Sequence, residues 1–492
     1  MSQITIANLT FGYEGSYDLV FDKVSLCLDT DWRLGLIGRN GRGKTTFLRL
    51  LTGEQEYAGS IAADVPFDYF PYDVQEPQRF TMEVLEEISA REQWEIRREL
   101  IRMQMDEEAL WRPFSTLSPG ERSKALLAAL FLREGHFLLI DEPTNHLDME
   151  ARKTVSDYLK TKRGFILVSH DRAFLDGCID HVLAINRKDI EVQKGNYSSW
   201  HQNREWQEAF ERGEQERLRR EVKKLTAAAR RSADWSDQAE KAKTGGKDVS
   251  GLHPDRGFIG HKAAKMMKRA VVIDARREKA MEEKSRLLQN AEESGELYLH
   301  PLQYPQRVLA QLSDVSIRYG DRMVCSDISM TVERGERIAL IGRNGAGKSS
   351  VLRLLTGHGP QHAGNVRIGN GLIVSYLPQD TSGLSGDLRS LIDAAGIEEA
   401  RFKAILRKLG FEREQFDKSM EQYSAGQKKK VALACSLCTR AHLYVWDEPL
   451  NYMDVISREQ IEELLKACDA TVVFVEHDRV FMETIATKTV IL

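Results

Sequence analysis

Lys44 and Lys348 each close a glycine-rich loop and precede a hydroxyl residue, a combination that can hold a polyphosphate. The loops read Gly38-Arg39-Asn40-Gly41-Arg42-Gly43-Lys44-Thr45-Thr46 and Gly342-Arg343-Asn344-Gly345-Ala346-Gly347-Lys348-Ser349-Ser350. Their glycines let backbone N–H groups close around phosphate oxygens at the start of a helix, where the dipole favours anions. The lysines suit the β- and γ-phosphates, and the Thr45 and Ser349 hydroxyls suit Mg2+. Downstream, two apolar runs end in paired acids, Asp141-Glu142 and Asp447-Glu448. The first acid of each pair fits the surroundings of Mg2+, and the second is placed to polarise an attacking water. Phosphoryl transfer needs mainly positioning and charge neutralisation, which these groups offer.

Leu117-Ser118-Pro119-Gly120-Glu121 and Tyr423-Ser424-Ala425-Gly426-Gln427 each begin a helical run, with serine as N-cap and Glu or Gln three residues on. The N–H groups that need a cap can also bind a γ-phosphate arriving from outside. His170 and His477 follow the apolar strands Phe165–Val168 and Val472–Val475 and suit a sensor that hydrogen-bonds a γ-phosphate.

The motifs recur in phase. Lys44 and Lys348 lie 304 residues apart, Ser118 and Ser424 306, Glu142 and Glu448 306, and His170 and His477 307. A repeat held this closely predicts one fold used twice. Residues 1–198 and 306–492 both alternate short apolar strands with amphipathic helices, as α/β layers with a mainly parallel sheet do.

Residues 199–305 differ in composition. From Trp200 to Lys243 the chain is dense in charged residues and lacks proline, with Leu218, Val222, Leu225 and Ala229 at helical spacing. Breakers then cluster from Gly245 to Gly260, and a second helical run follows from Lys262 to Glu293. This pattern predicts a long antiparallel α-helical hairpin, its longer arm on the order of 60 Å. A solvated spacer or a dimerisation coiled coil is the plainer alternative. Lys241, Lys243, Lys247, Arg256, Lys262, Lys265, Lys268 and Arg269 crowd the tip against four acids, a phosphate-contact footprint. Leu252, His253 and Phe258 either contact bases or a drug, or pin the loop to itself.

Whole-chain composition adds bounds. The 492 residues allow two or three domains, and a net charge of −4 says nothing about nucleic acid. No apolar run approaches the roughly 18–20 residues that span a bilayer, and Met1–Ala7 reads as a strand rather than a leader, so a cytoplasmic protein is expected. Cys435 and Cys438 share one helix face without further thiols or histidines nearby, which favours core packing over metal or redox chemistry.

Together the loops, signature serines, acid pairs and histidines resemble the ATP-binding cassette family. The resemblance implies two cassettes meeting head to tail with ATP and Mg2+ between them, inside one chain. One site would join Lys44, Thr45, Asp141, Glu142 and His170 to Ser424, Gly426 and Gln427. The other would join Lys348, Ser349, Asp447, Glu448 and His477 to Ser118, Gly120 and Glu121. It further implies that Tyr13 and Tyr319 stack on adenine, where the alternative is an ordinary sheet aromatic, and that Gln379 reaches Mg2+ or water. Tyr72 stands where the first half would carry that glutamine, so two sites of unequal rate are expected.

Tandem cassettes joined by a charged helical hairpin resemble the ABC-F class. The stretch Trp446–Asp454 is similar to its Lsa-like antibiotic-resistance members. The 74 residues from Lys44 to Ser118, against 76 from Lys348 to Ser424, leave no room for the extra arm of some translation factors. The resemblance implies binding to large-subunit RNA at the ribosomal exit site, with the hairpin reaching P-site tRNA and the peptidyl transferase centre. There it would dislodge lincosamide, streptogramin A or pleuromutilin drugs. A housekeeping translation factor and a transporter ATPase subunit are the competing readings, and the latter would need membrane partners.

Overall fold

In the computed structural model the described residues are 2–13, 19–145, 147–186, 189–244, 265, 268, 272, 275, 276, 278, 279, 297–320, 322–343, 345–411 and 413–492. The chain divides into two units, Met1–Ser198 with Glu293–Leu492, and Ser199–Glu292.

Within the first unit each half carries a small antiparallel sheet and a larger, mostly parallel one. In the first half the strands are β1 (Gln3–Phe11), β2 (Phe21–Asp29), β3 (Arg33–Ile37), β4 (Ala58–Ala63), β5 (Phe67–Phe70), β6 (Phe137–Asp141), β7 (Phe165–Val168), β8 (His181–Ile185) and β9 (Ile190–Lys194). They form sheets of order β2-β1-β4 and β5-β6-β7-β3-β8-β9. Strands β5, β6, β7, β3 and β8 run parallel, and β9 turns back antiparallel. The second half repeats this with β10 (Val308–Tyr319), β11 (Arg322–Glu333), β12 (Arg337–Ile341), β13 (His362–Ile368), β14 (Val374–Leu377), β15 (Leu443–Asp447), β16 (Val472–Val475) and β17 (Lys488–Ile491). Its sheets have the order β11-β10-β13 and β14-β15-β16-β12-β17.

The local sequences explain these choices. Phe165-Ile166-Leu167-Val168 and Val472-Val473-Phe474-Val475 are buried along their whole length, as central parallel strands covered on both faces must be. Strand β1 alternates buried Ile4, Ile6 and Leu9 with more exposed neighbours, which suits a sheet covered on one face. Sequence reasoning expected the parallel layer but not the antiparallel sheets as separate elements, because alternating strands carry no marker of the sheet they join.

In the second unit and its root, one helix of 48 residues runs from Tyr197 to Thr244, about 70 Å at 1.5 Å per residue. Leu218 is buried, and Val222 and Leu225 are half-buried. Lys241 and Lys243 belong to this helix, and Lys265 and Lys268 are helical and exposed. Lys247, Leu252, His253, Arg256, Phe258, Lys262 and Arg269 lie outside the described residues, as do the breaker cluster and most of the expected second arm. Among the described residues no helix is long and apolar enough to cross a membrane.

Candidate functional site

Both glycine loops lead from a buried strand, β3 or β12, into a helix, Lys44–Leu51 or Lys348–Leu355. Their N-caps are Gly43 (φ 88°) and Gly347 (φ 93°), in the left-handed region that only glycine enters cheaply. A Cβ on Gly43 would fall 2.5 Å from Val20 Cγ1 and one on Gly347 2.9 Å from Val324 Cγ1, so space also forbids a side chain. Neither helix has a side-chain cap, which keeps its first N–H groups facing the loop. Lys44 Nζ donates to Gly38 O (2.7 Å), Arg39 O and Asn40 Oδ1, and Lys348 Nζ to Gly342 O (2.6 Å) and Arg343 O. Both ammonium groups are curled over their own loops, and burial lowers the pKa of each against the pull of nearby carboxylates. Asn344 lies outside the described residues.

The acid pairs sit at the C-terminal ends of β6 and β15. Thr45 Oγ1 donates to Asp141 Oδ2 (2.8 Å), and Ser349 lies beside Asp447, favouring its charged form. Asp447 is almost fully buried, its carboxyl pushed up by burial, and its Oδ1 has no protein hydrogen-bond partner. Hydroxyl, carboxylate and the Gln379 amide are hard oxygen donors of the kind Mg2+ takes, so the residues fit that ion. Glu142 (φ 51°) and Glu448 (φ 50°) both adopt a left-handed backbone, costly for a non-glycine residue. The neighbouring strand holds each there, through Glu142 N–H to Val168 O (2.9 Å) and Glu448 N–H to Val475 O (3.0 Å).

The two glutamates differ electrostatically. Burial and the adjacent Asp141 push the Glu142 carboxyl up to about 8. His170 Nε2 lies 3.2 Å from Glu142 Oε1 but out of line for a hydrogen bond, and burial among Lys44, Arg458 and Lys430 holds that imidazole well below its ordinary pKa. Burial also raises Glu448. There the His477 imidazole at 3.6 Å, the Gln379 amide (Nε2 to Oε1, 2.8 Å) and the Lys429 charge outweigh it, leaving the carboxylate below its usual value.

The signature serines are the N-caps of helices Pro119–Leu130 and Ala425–Cys438, each in a reciprocal capping box with Glu121 or Gln427. The expected capping turns are therefore present, and the halves bring each of them opposite the other half's loop. A cavity of about 680 Å³ is lined by Tyr13, Asn40, Gly41, Gly43, Lys44, Thr45, Thr46, Asp141, Glu142 and His170 together with Ser424, Gly426 and Gln427. A second, of about 1090 Å³, is lined by Tyr319, Gly345, Gly347, Lys348, Ser349, Ser350, Gln379, Glu448 and His477 with Ser118, Gly120 and Glu121. Both volumes suit a nucleotide-sized ligand. Tyr13 and Tyr319 are about half exposed at the rims, with hydroxyls hydrogen-bonded to Thr46 (2.6 Å) and Ser350 (3.2 Å).

Across the seam Asn40 donates to Tyr452 O (Nδ2, 2.8 Å) and to Asp454 Oδ2 (N–H, 3.3 Å). Arg172 pairs with Glu462 in a buried ion pair, and the Tyr197 hydroxyl donates to Glu459 (2.8 Å).

Several residues here were not foreseen. Tyr69, rather than Tyr72, reaches the chemistry: its hydroxyl donates to Asp141 Oδ2 (3.0 Å), and Tyr72 is exposed and lines neither cavity. Arg152 and Arg458 each tie the backbone before Asp148 or Asp454 to the acid after the strand-end histidine, through Leu147 O and Asp171 or Met453 O and Asp478. Their 306-residue spacing was a readable signal. The Cys435 and Cys438 thiols are free and raised to about 12 and about 11 by burial, in keeping with core packing.

The family model described as ABC transporter matches residues 21–145 and 325–451. Among curated relatives, the ribosome protection protein VmlR of Bacillus subtilis (strain 168) is 27% identical over 98% of this chain and 85% of its own length. The ATP-binding protein Uup of Caulobacter vibrioides is 29% identical over 96% of this chain and 74% of its own. The energy-dependent translational throttle protein EttA of Escherichia coli (strain K12) is 25% identical over 95% and 88%. In fold the chain is similar to an archaeal ABCE1 solved with the ribosomal stalk protein aP1, with a TM-score of 0.64 at 17% identity over 98% of this chain and 87% of that one. Two complete sets of cassette motifs, one family match in each half and relatives aligned across nearly the whole length identify the chain as a member of the ATP-binding cassette family, an ATP-hydrolysing protein of the ABC-F class.

Proposed function

We propose that this ATPase binds the ribosome and protects it from antibiotics that act at the peptidyl transferase centre, of the lincosamide, streptogramin A and pleuromutilin types. The observation that carries this reading is the match to a ribosome protection protein over 98% of the chain. The 48-residue helix leaving the first half supports it by offering a lever long enough to enter an RNA cavity. The basic stretch 241–269, which begins at the end of this helix, is assigned to P-site tRNA and large-subunit RNA. A housekeeping translation factor is the second reading, favoured by the 25% identity to EttA over 95% of the chain.

In this proposal ATP lies in each shared cavity. The Lys44 and Lys348 ammonium groups leave their loop carbonyls for the β- and γ-phosphates, and the uncapped helix ends supply N–H donors. Thr45 with Asp141, and Ser349 with Asp447 and Gln379, would hold Mg2+, which neutralises phosphate charge when bound. Glu142 and Glu448 orient the attacking water, and His170 and His477 sense the γ-phosphate. Ser424 and Ser118 complete each site from the opposite half, so ATP favours the closed pair through differential affinity, and hydrolysis reopens it.

The test has two arms. The Glu142→Gln/Glu448→Gln variant is expected to co-sediment with ribosomes in ATP and to separate from them without it. Expression of the unmutated chain in a drug-sensitive strain is expected to raise the inhibitory concentration of a lincosamide or pleuromutilin. Co-sedimentation without a drug phenotype would favour the housekeeping reading, and equal sedimentation with and without ATP would sink ribosome binding by the closed form.

A further inference from the structure

Lys429 takes part in neither set of cassette motifs, yet it is about 1% exposed. A buried ammonium persists only if its protons are satisfied. Lys429 Nζ donates to Pro378 O (2.8 Å), Asp447 O (2.8 Å) and Gln379 O (3.4 Å). These carbonyls belong to the two segments that supply Gln379 and Glu448 to the second cavity. Lys429 itself rides on helix Ala425–Cys438, whose Ser424 cap faces the first cavity. Further along, Ser436 Oγ fastens the same helix to Ser375 (2.7 Å) and to Trp446 Nε1 (2.9 Å), on β14 and β15.

Among the described residues the first half shows no equivalent. The residue 306 positions earlier is Ser123, whose hydroxyl donates to Pro119 O (3.1 Å) inside its own helix. We propose that Lys429 is a positioning residue that couples the two ATP sites through the second half alone. A shift of the Gln379 backbone at one site moves the helix that presents Ser424 to the other. By linkage the coupling acts both ways between the sites, but it runs through one half of the molecule.

The inference rests on ATP turnover in both cavities, so turnover is isolated site by site. In a Glu448→Gln background only the first cavity turns over, although Lys429 touches nothing in the Lys44 loop. Adding Lys429→Met there is expected to lower kcat by about tenfold or more, with KM for ATP within about twofold, because a misplaced signature costs orientation rather than binding. Lys429→Arg, which keeps the charge and the donors, is expected to restore most of that loss.

A first cavity indifferent to Lys429→Met overturns the coupling, even if turnover at the second cavity falls in the matching Glu142→Gln background. Should the methionine variant not fold, as circular dichroism would reveal, Lys429→Gln keeps two amide protons and is judged by the same kcat-against-KM split. An unmutated chain with no ATP turnover would instead sink the hydrolytic reading, before any change at Lys429.

Discussion

Glu142 and Glu448 share sequence context and backbone conformation, but their surroundings push their carboxyls in opposite directions. Burial leaves Glu142 reluctant to ionise, whereas at Glu448 the His477 imidazole, with the Gln379 amide and the Lys429 ammonium, outweighs burial and favours the charged form. A water-orienting group must be ionised to accept a proton. Glu142→Gln is therefore expected to leave most of the steady-state ATP turnover, and Glu448→Gln to remove most of it. A phosphate-release assay on the two single variants checks this, and equal losses would refute the asymmetry. Sequence analysis expected unequal sites on the strength of Tyr72, whereas the electrostatic difference between the two glutamates involves other groups. Tyr69 comes into play because β5 pairs with β6 and carries its hydroxyl to Asp141. Lys429 was invisible because a repeat reveals only what occurs twice.

At the scale of elements, helix caps and buried pairs set the local stability. Ser424→Ala removes a capping side chain, a cost of about 1 kcal/mol. A small drop in Tm is expected together with a much larger loss of first-cavity turnover, separating cap from catalysis. Glu99 on helix Gln93–Arg102 is about 1% exposed and accepts from Lys162 (2.5 Å) and Tyr158 (2.8 Å). Burial raises its pKa, but these donors and Arg102 prevail and hold it below the ordinary carboxylate value. Stability from Glu99 is thus present above the unfolded pKa and fades as pH falls through the lower folded one. Glu99→Gln is expected to cost about 3 kcal/mol at neutral pH by stranding its partners, and progressively less as acid protonates the parent. Thermal melts of both proteins between neutral and acidic pH provide the measurement.

Strands and caps were the legible part of the fold. Phe165–Val168 and Val472–Val475 were read with their observed ends, and both serine caps were read from spacing. Apolar continuity and capping boxes are local signals. The left-handed glutamates are held by pairing with a strand further along the chain, which local pattern does not encode, whereas the antiparallel sheets begin from neighbouring strands whose alternation was read only as part of the α/β layering.

For the whole molecule the decisive feature is that each cavity needs both halves. Glu462→Ala would strand the Arg172 guanidinium at the seam, a loss of about 3 kcal/mol for the closed pair. Its expected signature is a larger radius of gyration in ATP, by small-angle scattering, for a Glu142→Gln/Glu448→Gln chain that also carries the change. No difference would show that this pair does not help hold the halves together. Because Arg172 and Glu462 are both screened from solvent, dissolved ions reach them poorly, unlike the surface pairs such as Arg220–Glu216. The molecule thus carries a brine-resistant fastening between its two halves, and parting it demands that two dry charges be wetted again.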